Sequence, residues 1–259
     1  MNRLKNCGVA VALLLLSGLT LQAQDSTALN QSEKTIKKYK PFDANLQLRS
    51  LYIWRGFKVS DAPISDVDLH YKSKDGSFQA GFWGGASLNG NYKEFDYYVS
   101  YTKKGFTLSV WDINNFSDFP NANLFNYNNG STSHFIDAGI AYKFDFKLPL
   151  TLSWNTIVAG RDTYVKANGK RANAYSNYVQ LDQVLWQDEE NSSLHVFVGG
   201  GFAFGREKNF YGDHPNIVNS GLTYNKDLIL FKYHLPVAAT AMFSPEHKTG
   251  TLQLVANIF

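Results

Sequence analysis

The chain has 259 residues, 25 Lys and Arg against 22 Asp and Glu, an aromatic share of 15% and one cysteine. That length supplies ample core for one large domain. The near balance of charge argues against nucleic-acid binding, which usually needs a clustered basic surface, and Cys7 alone cannot build a disulfide framework.

The N-terminus reads as an export signal. Arg3 and Lys5 precede an apolar run from Gly8 to Leu21, followed by Leu21-Gln22-Ala23. This is the layout of a signal peptide over residues 1–23, cleaved after Ala23. The run is shorter than the roughly 20 apolar residues of a spanning helix. Cys7 lies near the start of the run, whereas a lipoprotein would carry its cysteine at the cleavage site. Nothing downstream is long and apolar enough for a transmembrane helix. Residues 24–43 are polar and unpatterned and read as a flexible periplasmic lead-in. Their basic cluster KTIKKYK (34–40) is read as a solvated segment, with contact to anionic lipid or peptidoglycan as the other possibility.

From residue 44 to 259, period two dominates. FDYYVSYT sets Phe95, Tyr97, Val99 and Tyr101 against Asp96, Tyr98, Ser100 and Thr102, and HFIDAGIAYKFDF alternates in the same way. LILFKYHLPVAATAMF keeps apolar residues in step from Ile229 to Phe243. Such alternation predicts strands rather than helices. It segments into about twelve, near 44–55, 62–72, 77–87, 93–102, 106–113, 134–146, 149–159, 174–186, 193–204, 215–224, 228–243 and 250–259. Pro236 cannot donate to a ladder, so a bulge is expected there.

Every second connection is tight: SKDG (73–76), KKG (103–105), KLP (147–149), QDEENS (187–192) and NKD (225–227). The others are mostly longer, up to the 20-residue NNFSDFPNANLFNYNNGSTS. Segregation of loop length by parity predicts an all-β transmembrane antiparallel barrel with short periplasmic turns and longer extracellular loops. Faces rich in Leu, Val, Ile, Phe and Tyr are assigned to lipid, and faces rich in Asp, Asn, Gln, Ser, Thr and Gly to a wet interior. Interfacial girdles are expected from Trp54, Trp83 and Trp111 toward the long loops, and from Tyr71, Phe106, Phe146, Trp186 and Tyr224 toward the turns. In a closed barrel the last strand pairs with the first. Terminal Phe259 resembles the signal read by outer-membrane assembly machinery, although it is in phase with Asn257 and Gln253 rather than with apolar residues.

LYIWRGFKVSDAP (51–63) carries Tyr52, Trp54, Arg55, Gly56, Ser60 and Pro63. These positions resemble the start of the TorF-like porins, whose first barrel hairpin has an aromatic-Arg-Gly motif, a polar loop and a proline. SFQAGFWGGASLNG and GFTLSVWDIN are similar to the Gly-aromatic hairpins of that group. The resemblance implies a bacterial outer-membrane barrel of porin type. Trp54 is then expected at the interface and Arg55 at the rim near lipid phosphates, with Gly56 permitting the tight turn into the loop.

The interior polar residues are Arg49, Asp66, Asp68, Asp96, Asp137, Lys143, Asp182 and Lys232. In a hydrated lumen they would filter solutes by charge, and five carboxylates against three bases favour cations or neutral solutes. The competing arrangement has them pairing to fill the interior. The long third loop is expected to fold inward and narrow the pore. Tyr98 and Tyr178 are candidates for a sliding surface in a substrate-specific channel. Of the six histidines, none sits in a His-x-Ser arrangement; His195 should face inward, away from lipid, and adjacent Ser133 and His134 point to opposite faces. A lipid hydrolase and a metal site are therefore disfavoured. GGGFAFG (199–205) lies within a strand with no helix after it, so it reads as packing space and not as a phosphate loop.

The expected function is passive diffusion of small polar solutes, with no enzymatic activity and no cofactor. The other readings are a substrate-specific channel and a non-conducting structural or adhesin barrel. Expected partners are outer-membrane lipids, the barrel-assembly machinery, periplasmic chaperones and the solutes themselves.

Overall fold

The computed structural model describes residues 39–119 and 123–259. The signal peptide and residues 24–38 of the lead-in lie outside the described residues. The strands are β1 (Phe42–Arg49), β2 (Tyr52–Trp54), β3 (Phe57–Ser60), β4 (Ile64–Lys72), β5 (Phe78–Ser87), β6 (Lys93–Lys103), β7 (Phe106–Asn114) and β8 (His134–Phe144). They continue with β9 (Leu150–Gly160), β10 (Thr163–Val165), β11 (Arg171–Asn173), β12 (Ser176–Gln187), β13 (Ser193–Ala203), β14 (Asn216–Leu230), β15 (Tyr233–Ser244) and β16 (Thr249–Asn257).

Twelve of these close into one antiparallel barrel, and the pairs β2–β3 and β10–β11 stand outside its wall as separate hairpins. Closure is made by β1 against β16, with Gln47, Leu48 and Arg49 opposite Asn257, Ala256 and Val255. Three further bonds extend the seam: the Leu46 amide donates to the Phe259 carbonyl at 3.0 Å, the Ile258 amide to the Leu46 carbonyl at 2.8 Å, and the Ser50 amide to the Leu254 carbonyl at 2.9 Å. Among the described residues the twelve-stranded wall has no open strand edge, which is the condition for β-structure in a bilayer.

Alternation sorts the side chains as anticipated. Leu69, Phe82, Val99, Leu108, Ile140, Leu222, Leu252 and Leu254 all stand exposed on the outside. A continuous apolar exterior of this kind is a lipid-facing surface. Replacing Ile140, mid-strand in β8, with Arg is therefore expected to cost roughly 2–4 kcal/mol if it lies near the bilayer midplane. A urea titration in lipid vesicles checks this, with the lumen-facing Ala141→Arg exchange as the contrasting variant.

The turn-side aromatics Tyr71, Phe106, Phe146, Trp186 and Tyr224 are exposed on the outer wall, as a girdle requires. The loop-side girdle differs from expectation: Trp83 is buried inside the barrel, and Trp111 stacks on the buried Tyr98 at 4.2 Å. Both are in phase with inner-face residues, so alternation outweighs their interfacial preference.

Turn chemistry accounts for most reversals. Lys104 and Gly105 both have positive φ (49° and 83°) between paired Lys103 and Phe106, the two-residue turn whose twist suits a hairpin. In the turn before β5, the Asp75 carboxylate accepts from the hydroxyls of Ser73 and Ser77 and from the Ser77 amide. These bonds, Ser73 foremost, lower its pKa to about 2.

Two boundaries move. NKD (225–227) is not a turn: β14 and β15 stay paired to Leu230–Tyr233, and the chain reverses at Phe231 and Lys232. Neighbouring β13 reaches only Asn225, and β16 pairs with β15 only from Val237 onward. The β14–β15 hairpin therefore projects beyond the wall at the turn end. There is no bulge at Pro236, because it lies just beyond the last β15–β16 pair, where a missing amide is tolerated. Register shifts occur instead at Ile136/Asp137, Val184/Trp186 and Gly199/Gly200.

Candidate channel and its plug

After Arg49 the chain does not continue along the wall to residue 55. It doubles back as the β2–β3 hairpin, whose tip is Arg55 and Gly56 at positive φ (44° and 91°). Gly56 packs so closely that a Cβ there would run into the Val218 carbonyl. The rim position expected for Arg55, and the interfacial one for Trp54, are thus overturned: both side chains lie in the lumen.

Arg55 forms a two-pronged ion pair with Asp137, Nη1 to Oδ1 at 3.1 Å and Nη2 to Oδ2 at 2.6 Å. Nη1 also donates to the Tyr211 hydroxyl at 2.9 Å. The guanidinium lies 4.7 Å from the Trp54 ring centroid and 5.0 Å from that of Tyr178. Planar guanidinium suits this dual role, pairing with carboxylate in its plane and stacking on rings across it.

Around this pair lies an apolar layer. Trp54 and Phe57 of the hairpin meet Phe210 and Tyr211, which the loop after β13 turns inward, and Phe135 of the wall. Ile113, Ile157, Tyr178 and Val218 complete a buried cluster. Beside it, Tyr52 stacks on Trp83, with Ile64 and Tyr92 buried against them. The loop-side half of the barrel is packed with side chains, and two loops supply the packing. In the described part of the third loop, the Tyr127 hydroxyl donates to Asp112 at 2.5 Å and its ring lies against His134, both on the outward phase of the rim.

Inner-face glycines make room for these rings. A Cβ on Gly201 would lie 2.6 Å from Tyr211 Cβ, one on Gly199 2.6 Å from Tyr178 Cζ, and one on Gly85 2.6 Å from the Trp83 ring. Within the glycine run, Gly199 and Gly201 give packing space to Tyr178 and Tyr211. Gly201→Val should dislodge Tyr211 and cost roughly 1–3 kcal/mol by overpacking, visible as a lowered urea midpoint.

The turn-side half is different. Asn45, Gln47, Arg49, Asp66, Asp68, His70, Gln79 and Trp83 line a cavity of about 280 Å³. Arg49 pairs with Asp66 through Nε at 2.6 Å, and Trp83 Nε1 donates to the same carboxylate at 3.1 Å. The Tyr98 hydroxyl donates to Asp68 at 2.9 Å and accepts from Gln79 at 3.0 Å; Asp68 also meets His70 Nδ1.

The eight interior candidates therefore separate. Arg49, Asp66 and Asp68 line the cavity, Asp182 is on the inner phase of β12, and Lys143 is on the inner phase of β8, exposed at the turn end. Asp96 and Asp137 belong to the packed half, with Asp96 accepting from the Asn114 amide at 3.0 Å. Lys232 does not face the lumen, because it forms the exposed turn between β14 and β15. Asp66 and Asp137 are ion-paired with Arg49 and Arg55, while Asp68 and Asp182 contact His70 and His195. Tyr98 and Tyr178 are buried and offer no sliding surface.

The inward roles of Trp83, Trp111, Phe210 and Tyr211 escaped the sequence reading. For the two tryptophans a signal exists: each is in phase with Gly, Ser or Thr rather than with Leu and Val. The loop pair Phe210–Tyr211 carries none.

No family model and no curated protein matches the chain. One solved structure, from work titled "Unveiling the Mechanism Behind the in-meso Crystallization of Membrane Proteins", is similar at 10% identity and a TM-score of 0.47, over 83% of this chain and 82% of that one.

Proposed function

We propose that this protein is a bacterial outer-membrane channel for small polar solutes, closed in the present conformation by a plug able to leave the lumen. One observation carries this reading: the β2–β3 hairpin pairs with itself and not with the wall. Beyond the base contact from Gln253 Nε2 to the Leu51 carbonyl, side chains hold it. It can therefore withdraw without breaking the barrel's ladder. Twelve strands enclose more space than the eight that side chains fill unaided, which leaves room for a water path once the hairpin is out.

The export signal and the resemblance of residues 51–63 to TorF-like porins support an outer-membrane location. Lipids would contact the apolar exterior, chaperones would escort the exported chain, and the assembly machinery would read the segment ending at Phe259. The hydrogen-bonding groups of the turn-side cavity suit small polar solutes, and conduction calls for no cofactor.

Planar-bilayer recording of the refolded protein tests the proposal. Long closed intervals broken by discrete conductance steps are expected. Silence at every applied voltage, with and without the hairpin, would identify a non-conducting barrel instead.

A further inference from the structure

On the inner face of the turn-side half, β12 and β13 bring together three groups outside the plug. Ser193 and His195 are two residues apart on one strand, so alternation points both the same way. His195 Nε2 lies 3.1 Å from Ser193 Oγ, and His195 Nδ1 lies 3.0 Å from Asp182 Oδ1. The Asp182 and His195 side chains are 32% and 24% exposed, so water and solutes reach them.

With Asp182 ionised and the His195 imidazole neutral, the hydrogen bonds have one consistent direction. Its carboxylate accepts from Nδ1–H, which leaves Nε2 as an acceptor and makes the Ser193 hydroxyl its donor. Asn225 Nδ2 donates to the same Ser193 oxygen at 3.1 Å. Nucleophile, base and orienting carboxylate thus stand in the order required for acyl transfer, with an amide donor beside the nucleophile.

We propose that Ser193, His195 and Asp182 form an esterase site in the lumen that hydrolyses short-chain acyl esters of water-soluble alcohols. Ser193 Oγ attacks the acyl carbon while His195 Nε2 takes the hydroxyl proton, and Asp182 stabilises the resulting imidazolium. Asn225 Nδ2 donates to the developing oxyanion. The imidazolium returns the proton to the departing alcohol, leaving the acyl group on Ser193. Water, deprotonated by His195, then releases the carboxylic acid and restores the serine. The inward orientation selects soluble esters over bilayer lipids, whose acyl chains lie on the other side of the wall. The site is independent of the plug.

The test uses the refolded full-length barrel in detergent, with 4-nitrophenyl acetate as substrate and a fluorophosphonate as probe. Expected results are a phosphonate adduct mapped to Ser193 and ester turnover. Both should fall to background in Ser193→Ala and His195→Ala, and Asp182→Asn should slow turnover on the order of 10³-fold or more. Unchanged heat-modifiable migration on gels verifies that each variant retains the barrel. An unlabelled wild-type protein, or labelling that persists in Ser193→Ala or His195→Ala, overturns the proposal.

Discussion

Deleting Tyr52–Ser60 and joining the flanks by a short Gly-Ser turn is expected to convert a mostly closed barrel into one with sustained conductance. The deleted hairpin contributes Trp54, Arg55 and Phe57, which touch Phe135, Phe210 and Tyr211 across the lumen. Without it, Tyr211 loses its hydrogen bond from Arg55 and Phe210 loses its ring contacts with Trp54 and Phe57, so the inward-turned loop has less to pack against. Asp137 is then left facing water. The wall itself is untouched, because the β1–β4 pairing runs from Phe42–Tyr71 to Arg49–Ile64 without the hairpin. Single-channel recording distinguishes the outcomes: frequent, long-lived steps support a removable plug. A deletion variant as silent as the parent would show that the lumen is sealed by more than these residues.

Arg55→Ala is expected to give the second-largest effect. It removes one member of a buried ion pair while Asp137 stays 2% exposed, a change that typically costs 3–5 kcal/mol. In this barrel the penalty has an escape route. If the hairpin leaves, Asp137 becomes hydrated and the cost is relieved, so the closed state rather than the whole barrel loses stability. At 1.4 kcal/mol per factor of ten, the ratio of open to closed should rise by roughly 10² or more. The double variant Arg55→Met with Asp137→Leu removes both charges and should return much of the closed population. If Arg55→Ala opens no more often than the parent, the ion pair is not the latch.

Much of the fold can be read from the residues because a barrel wall repeats one rule. FDYYVSYT and HFIDAGIAYKFDF each declare an outer and an inner face, and the parity of turn lengths separates the two ends. Twelve wall strands follow, and the closing seam with them. The plug is harder to read. LYIWRGFKVS alternates like the wall strand before it, and alternation assigns a face without saying which neighbour a strand will pair with. Arg55-Gly56 between aromatics is a hairpin signal in hindsight, since both central residues take positive φ. The turn at Phe231–Lys232 was hidden for a different reason: neither residue favours a reversal, and the length of the β14–β15 ladder overrides the polar NKD segment. Ser193-Leu194-His195 carries the reverse of the His-x-Ser order. Spacing on a strand serves either order equally well.

The barrel holds a polar-lined cavity at one end and is packed at the other, and for the proposed channel this has an electrical consequence. An ion-filled vestibule sustains almost no voltage gradient, so an applied potential falls nearly entirely across the thin aromatic stratum where Arg55 sits. A full unit of charge moved through such a drop exchanges about 2.3 kcal/mol per 100 mV. Polarity that drives cations toward the long loops pulls Arg55 off Asp137, and the opposite polarity seats it. A channel of the proposed kind would therefore rectify.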